Sequence, residues 1–180
     1  MFLLVTGGSG SGKSAYAENE ILKLGQGKRI YIATMMSFDE ESRKRIARHR
    51  MMRADKCFDT LECYMDLKSV DVPEDSIILL ECMSNLTANE MFAPGGAGED
   101  TVSQILQGIS RLQKRARHLV VVTNEIFSDG YEYDPDTKRY QKYLGKINQV
   151  MGNMADRVVE VVYGIPLPVS RKREGKEGGI

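Results

Sequence analysis

Gly7-Gly8-Ser9-Gly10-Ser11-Gly12-Lys13-Ser14 sets two glycines, with four residues between them, directly ahead of a Lys-Ser pair. Glycines at that spacing let successive backbone N–H groups turn inward around phosphate oxygens. A helix starting at the Lys-Ser pair adds the positive end of its dipole. Lys13 brings a mobile cation to the β- and γ-phosphates, and Ser14 offers a hydroxyl to Mg²⁺. No reading of these glycines gives the Gly-x-Gly-x-x-Gly order of a dinucleotide fingerprint. The plain alternative is a Gly/Ser-rich turn between a strand and a helix.

A second group of reactive types lies in Asp39–Arg53, where Asp39, Glu40 and Glu41 precede six Arg or Lys residues. Acid first and base last suits a solvated surface helix. Six cations exceed what helix stability needs, however, and a polyanionic ligand would account for the excess. Arg45, Arg48, His49 and Met52 fall at helical spacing on one face, which sets a nucleophilic imidazole among guanidinium groups. Nearby positive charge lowers a histidine pKa and attracts a triphosphate. Taken alone, His49 would read as a surface histidine. Two carboxylates complete the set. Glu81 closes the apolar run Ser76-Ile77-Ile78-Leu79-Leu80, where an acid commonly lies beside Mg²⁺ and the attacking group. The dipole of a following helix would also favour an acid there. Glu62 reads by default as a surface carboxylate.

The elements that must position these groups follow from hydrophobic patterning. Phe2–Val5, Arg29–Ala33, Ser76–Leu80, His118–Asn124 and Arg157–Val162 read as strands, the last of these as the final strand; Phe58–Tyr64 fits a strand or a turn. Helices are expected from Ser14 to near Gly25, over Asp39–Arg53, Asn85–Phe92 and Thr101–Arg117, and along Tyr140, Leu144, Ile147, Met151 and Met154. The Met-rich stripe of the last helix reads as core. Pro94–Gly98 reads as a mobile connection, 126–136 as a substrate lid, and His118 as a surface histidine. Strands alternating with helices predict an α/β fold, P-loop NTPase-like, with a mostly parallel sheet and helices on both faces. Its carboxyl edge would carry the phosphate loop, Thr34, Glu81, Asn124 and Glu125. One catalytic domain spans 1–169, and 170–180 reads as a basic, glycine-rich, disordered tail.

Composition excludes several classes. A formal net charge of zero argues against an electrostatic nucleic-acid binder. Cys57, Cys63 and Cys82 are odd in number with no Cys-x-x-Cys spacing, so free thiols in a reducing cytoplasm are expected. No apolar run approaches a membrane span, and the polar N-terminus is not a signal peptide.

Several stretches together carry a resemblance: Val5-Thr6-Gly7-Gly8 with Ser11-Gly12-Lys13-Ser14, Tyr31-Ile32-Ala33-Thr34, Arg45-Ile46 with His49, and Leu79-Leu80-Glu81-Cys82. Val122-Thr123-Asn124-Glu125, Gly145, Asn148-Gln149 and Ala155-Asp156 complete it. From Leu4 to about Ile165 the chain resembles the bifunctional adenosylcobinamide kinase/adenosylcobinamide-phosphate guanylyltransferase family of cobalamin biosynthesis. The resemblance implies a cytoplasmic homotrimer with active sites near subunit interfaces, GTP and ATP as substrates, and adenosylcobinamide and its phosphate as acceptors. It implies phosphorylation of the cobinamide aminopropanol arm. GMP then passes from GTP through a guanylylated histidine to give adenosylcobinamide-GDP. His49 matches the family's nucleophile. Gly7 to Ser14, Ala33, Thr34, Met35, Arg50, Met51, Met52, Arg53, Glu62 and Glu81 match its nucleotide contacts. Gly10 stands where family members often carry Arg, and Arg48 where they often carry a second His. Lys13 and Glu81 would serve the kinase step, which needs no histidine. Two other readings are a single-activity P-loop small-molecule kinase and a nucleotide-binding switch or assembly ATPase without a small-molecule acceptor.

Overall fold

A computed structural model describes residues 1–37, 39–52, 54–127 and 132–171, without the side chains of Arg45, His49, Met52, Ser170 and Arg171. Seven strands form one sheet: β1 (Phe2–Thr6), β2 (Arg29–Ala33), β3 (Phe58–Glu62), β4 (Ile77–Glu81), β5 (His118–Val122), β6 (Arg157–Val162) and β7 (Ile165–Arg171). Their order is β3-β2-β4-β5-β1-β6-β7, parallel except for the antiparallel β6–β7 pair. Among the described residues five α-helices accompany them: α1 (Lys13–Lys23), α2 (Glu40–Met52), α3 (Met83–Phe92), α4 (Thr101–Arg115) and α5 (Pro135–Met154).

The period of two along each strand divides the apolar residues between two layers. Phe2, Leu4, Ile78, Leu80, Leu119 and Val121 face α3, α4 and α5, meeting Leu86, Ile105, Ile109, Leu144, Ile147 and Met151. Leu3, Val5, Ile77, Leu79, Val120 and Val122 face the opposite way, onto Ala17 and Ile21 of α1. Near-continuous burial of β1, β4 and β5 is what a parallel sheet covered on both faces requires.

Several expectations are corrected. Arg157–Val162 is not the last strand: it turns through Tyr163-Gly164 into β7, which runs to Arg171 and so past the expected tail boundary at 170. The rest of the tail lies outside the described residues. Helix α5 starts at Pro135, within the segment read as a lid, because Asp134 caps it by accepting from the N–H groups of Asp136 (2.9 Å) and Thr137 (3.0 Å). The Thr137 hydroxyl, together with the same two N–H bonds, holds the Asp134 carboxyl below the usual carboxylate range. Positions 128–131 of that lid lie outside the described residues. Helix α3 begins at Met83 rather than Asn85. His118 is half-buried, its Nδ1 enclosed without a partner, and burial lowers its pKa.

Gly108 in α4 shows packing overriding helix propensity. A Cβ there would stand 2.8 Å from both Cβ and Cγ of buried Leu67. Alanine favours an exposed helix over glycine by about 1 kcal/mol. Forcing a methyl into this contact costs about 1–3 kcal/mol. Gly108→Ala is therefore expected to lower the thermal midpoint, by about 2–4 °C per kcal/mol for a chain of this size. A raised midpoint in a melting scan would contradict the contact.

Candidate active site

The turn from β1 into α1 is built to bare its backbone. Gly7 sits at φ +152°, and a Cβ there would lie 2.5 Å from Val161 O. Gly10 (φ +71°) and Gly12 (φ +91°) hold left-handed conformations, and Gly12 is the N-cap of α1. Ser11 N–H donates to Gly8 O at 3.2 Å, which closes the turn. Lys13 Nζ donates to Gly8 O at 3.0 Å, so the lysine folds back over the loop it follows. The neighbouring strand end is tied to the loop by Glu125 N–H, which donates to Gly7 O at 3.1 Å.

Glu81 ends β4 and is buried. The Ser14 hydroxyl donates to its Oε1, and the Tyr31 hydroxyl to its Oε2 at 3.2 Å. Parallel pairing aligns Ala33 with Glu81, which brings the Ala33–Met35 strand end alongside. Thr34 is fully buried. Its hydroxyl donates to Cys82 O (2.8 Å) and accepts from Cys82 N–H (2.7 Å), while Asn89 Nδ2 donates to Thr34 O (2.9 Å). The side chain of Thr34 is thereby spent on fixing the backbone beside Glu81, whose peptide bond to Cys82 is cis. Further along the edge, Asn124 Nδ2 donates to Ser84 Oγ (2.7 Å), which also meets Cys82 Sγ (2.8 Å). Burial pushes the Cys82 thiol pKa up, so this sulfur is a packing group and not a ready nucleophile.

A cleft of about 490 Å³, open to solvent, continues from Glu81 towards α2. Ala33, Thr34, Met35, Glu62 and Glu81 line it together with Arg50. Arg50 Nη2 donates to Glu62 Oε1 at 3.0 Å, and the Tyr64 hydroxyl to Glu62 Oε2 at 2.7 Å; that second bond raises the Tyr64 pKa. Glu62 is an exposed carboxylate, as expected, and it pairs with the guanidinium of α2 at the cleft. Helix α2 is launched by a reciprocal cap in which Ser42 N–H donates to Asp39 Oδ1 (2.7 Å) and Asp39 N–H to Ser42 Oγ (3.0 Å). Among its described side chains none is buried.

Ile46 and Arg50 both line the cleft, so α2 borders it over one full turn, and position 49 falls within that turn. The side chains of His49 and Met52, and Arg53 altogether, lie outside the described residues; Met51 stands 78% exposed. Tyr31, Tyr64, Thr60, Cys82 and Asn85 also line the cleft, and the sequence reading gave none of them a site role. The one available signal was Tyr31, a hydroxyl-bearing ring two residues before a strand end.

Among the described residues no group of three or more His, Cys, Asp or Glu could hold a metal ion. Ser14 and Glu81 nevertheless bring a hydroxyl and a carboxylate together at the loop. With phosphate oxygens they make the hard, all-oxygen set that Mg²⁺ prefers, so the residues fit that ion.

The sequence profile described as cobinamide kinase / cobinamide phosphate guanyltransferase matches residues 3–169. The chain is 33% identical over 185 residues to the bifunctional adenosylcobalamin biosynthesis protein CobU of Salmonella typhimurium, covering 94% of this chain and 99% of that one. It is 31% identical to the protein of the same description from Escherichia coli, with the same coverage. The bifunctional adenosylcobalamin biosynthesis protein CobP of Pseudomonas aeruginosa is 27% identical, over 92% of this chain and 95% of its own. Among solved structures, an ATPase of the type III secretion system matches with a TM-score of 0.54 at 10% identity, over 88% of this chain and half of its own length. That likeness bears on the fold alone and agrees with a P-loop NTPase architecture.

Proposed function

Because this chain belongs to the cobinamide kinase / cobinamide phosphate guanyltransferase family, and is accordingly an enzyme with both activities, we propose a division of labour among its residues. The loop Gly7–Ser14 holds the triphosphate through its backbone N–H groups and Lys13. The acceptor hydroxyl is adenosylcobinamide's. Its oxygen bonds to the γ-phosphorus, the bond to the β-phosphate oxygen breaks, the diphosphate leaves, and the hydroxyl proton passes to Glu81. The place of Glu81 at the loop, against Ser14 and Tyr31, supports that role. Mg²⁺ held by Ser14 and Glu81 would neutralise charge on the phosphate oxygens.

GMP transfer uses His49. An imidazole nitrogen bonds to the α-phosphorus of GTP and pyrophosphate leaves. A phosphate oxygen of adenosylcobinamide phosphate then attacks the same phosphorus, and the nitrogen–phosphorus bond breaks to give adenosylcobinamide-GDP. Arg50, Glu62 and the strand end Ala33–Met35 hold the guanosine part, with Met51, Met52 and Arg53 as the family's further contact positions. The single observation carrying this reading is the cleft that runs from Glu81 to the turn of α2 containing position 49. A cytoplasmic homotrimer completes the proposal. The exposed apolar row Ile165, Leu167 and Val169 on edge strand β7 supports self-association.

The deciding experiment is incubation of the purified protein with GTP labelled in the α-phosphate, without acceptor. Label is expected to stay on the protein, acid-labile and chased off by adenosylcobinamide phosphate. No retained label would leave a kinase without the covalent step. Among the described residues no helix is long and apolar enough to cross a membrane.

A further inference from the structure

The turn between β6 and β7 lies against the phosphate loop. Gly164 N–H donates to Ser11 O at 2.8 Å, and a Cβ on Gly12 would stand 3.4 Å from Gly164 Cα. Strand β6 runs parallel to β1, so it delivers this turn to the same edge of the sheet. The hairpin is as short as hairpins get: Val162 pairs with Ile165, and only Tyr163 and Gly164 lie between. Both have positive φ, +51° and +79°. A two-residue turn of that kind is the usual place for Asn-Gly or Asp-Gly. A bulky side chain at the first position is strained. Tyr163 recovers nothing by packing, for it is 94% exposed. Neither turn chemistry nor the core accounts for a tyrosine here. A residue that breaks a local rule beside a ligand loop points to function.

We propose that Tyr163 is a stacking platform for the base of the phosphoryl-donor nucleotide, an inference resting on the reading of Gly7–Ser14 as the triphosphate site. The strand order gives it a consequence. From β1 the edge continues one way to β6 and this turn, and the other way through β5 to Glu81 and the cleft. A nucleotide gripped by its phosphates at the loop has two places for its base, one on each flank. With the base on Tyr163, the γ-phosphate is presented towards Glu81 for phosphoryl transfer. With guanosine in the cleft by Arg50 and Glu62, the α-phosphorus is presented to α2 for GMP transfer. One loop thereby serves two reactions by holding nucleotides in opposite senses. Every base has a π face, so stacking on Tyr163 does not choose between ATP and GTP.

The chain has no tryptophan, so Tyr163→Trp introduces a single indole. ATP and GTP are expected to quench its emission, and inorganic tripolyphosphate, which competes with ATP for the loop, is not. In the kinase assay Tyr163→Ala is expected to raise the KM for either nucleotide about ten- to a hundredfold, from the loss of one base-stacking contact. The effect should fall on KM and not kcat, and Tyr163→Phe should recover most of it. The KM for GTP in self-guanylylation should move less. An unchanged nucleotide KM in Tyr163→Ala overturns the proposal, as does equal quenching by tripolyphosphate and ATP. So does a change in assembly mass with no change in KM. If tripolyphosphate fails to compete with ATP in the wild type, the loop reading itself falls, and the Tyr163 proposal with it.

Discussion

Lys13→Ala should lower phosphorylation of adenosylcobinamide and GMP transfer together, each by about 10²–10³-fold, the typical loss when one preorganised electrostatic donor is removed. Both reactions build charge on a leaving phosphate chain, diphosphate in one and pyrophosphate in the other. Lys13 Nζ, bonded back to Gly8 O, sits on the loop proposed to receive either. The lysine ends a flexible stem and contributes no core packing, so the melting temperature should hold while activity falls. Lys13→Arg is not a neutral replacement, because a planar fork does not substitute for a point charge in a tight glycine turn. The measurement is steady-state kinetics with each acceptor alongside a thermal melt. Wild-type turnover in one of the two reactions would separate their nucleotide sites and refute the shared loop.

His49→Ala should split the activities. GMP transfer, and the acid-labile label from α-labelled GTP, should drop by about 10⁴-fold or more, the scale on which loss of a covalent nucleophile acts. Phosphoryl transfer should stay within a few-fold of wild type, since the proposal assigns it to Lys13, Ser14 and Glu81 and not to the histidine. The substitution sits on a helix whose described side chains are all outside the core, so folding should tolerate it. A pH series adds a second readout. An imidazole attacks only when uncharged, so transfer should fade as pH drops below its pKa while phosphorylation follows a different profile. If the histidine variant loses both activities equally with its fold intact, the covalent role of His49 is wrong.

What the sequence made legible follows from which signals are local. The phosphate loop, α1 and the buried runs of β1, β2, β4 and β5 declare themselves through glycine spacing and unbroken apolar stretches. Strand β3 was ambiguous because an edge position leaves most of its side chains in solvent, with no alternation to read. Strand β7 was lost because Pro166 and Pro168 argue against a strand, and prolines are tolerated only at an edge like this one. The start of α5 was written in Asp134-Pro135 but was masked by the polar loop around it. Sequence position alone was enough to place Lys13 at the start of α1 and Glu81 at the end of β4. The partners around Glu81 could not be placed that way: Tyr31 reaches its carboxylate and Thr34 the backbone of Cys82 across roughly fifty residues, through a β2–β4 register that no local pattern encodes.

The strand order also dictates when the molecule can become an enzyme. β1 is synthesised before every other strand of the sheet, yet both of its neighbours, β5 and β6, come from the far half of the chain. At ordinary translation speed roughly ten seconds separate the emergence of Phe2–Val5 from that of His118–Val122. Through that interval an intensely apolar tetrapeptide has no sheet to join. The nucleotide cannot help, because its cradle closes only after Gly164 has arrived to meet Ser11.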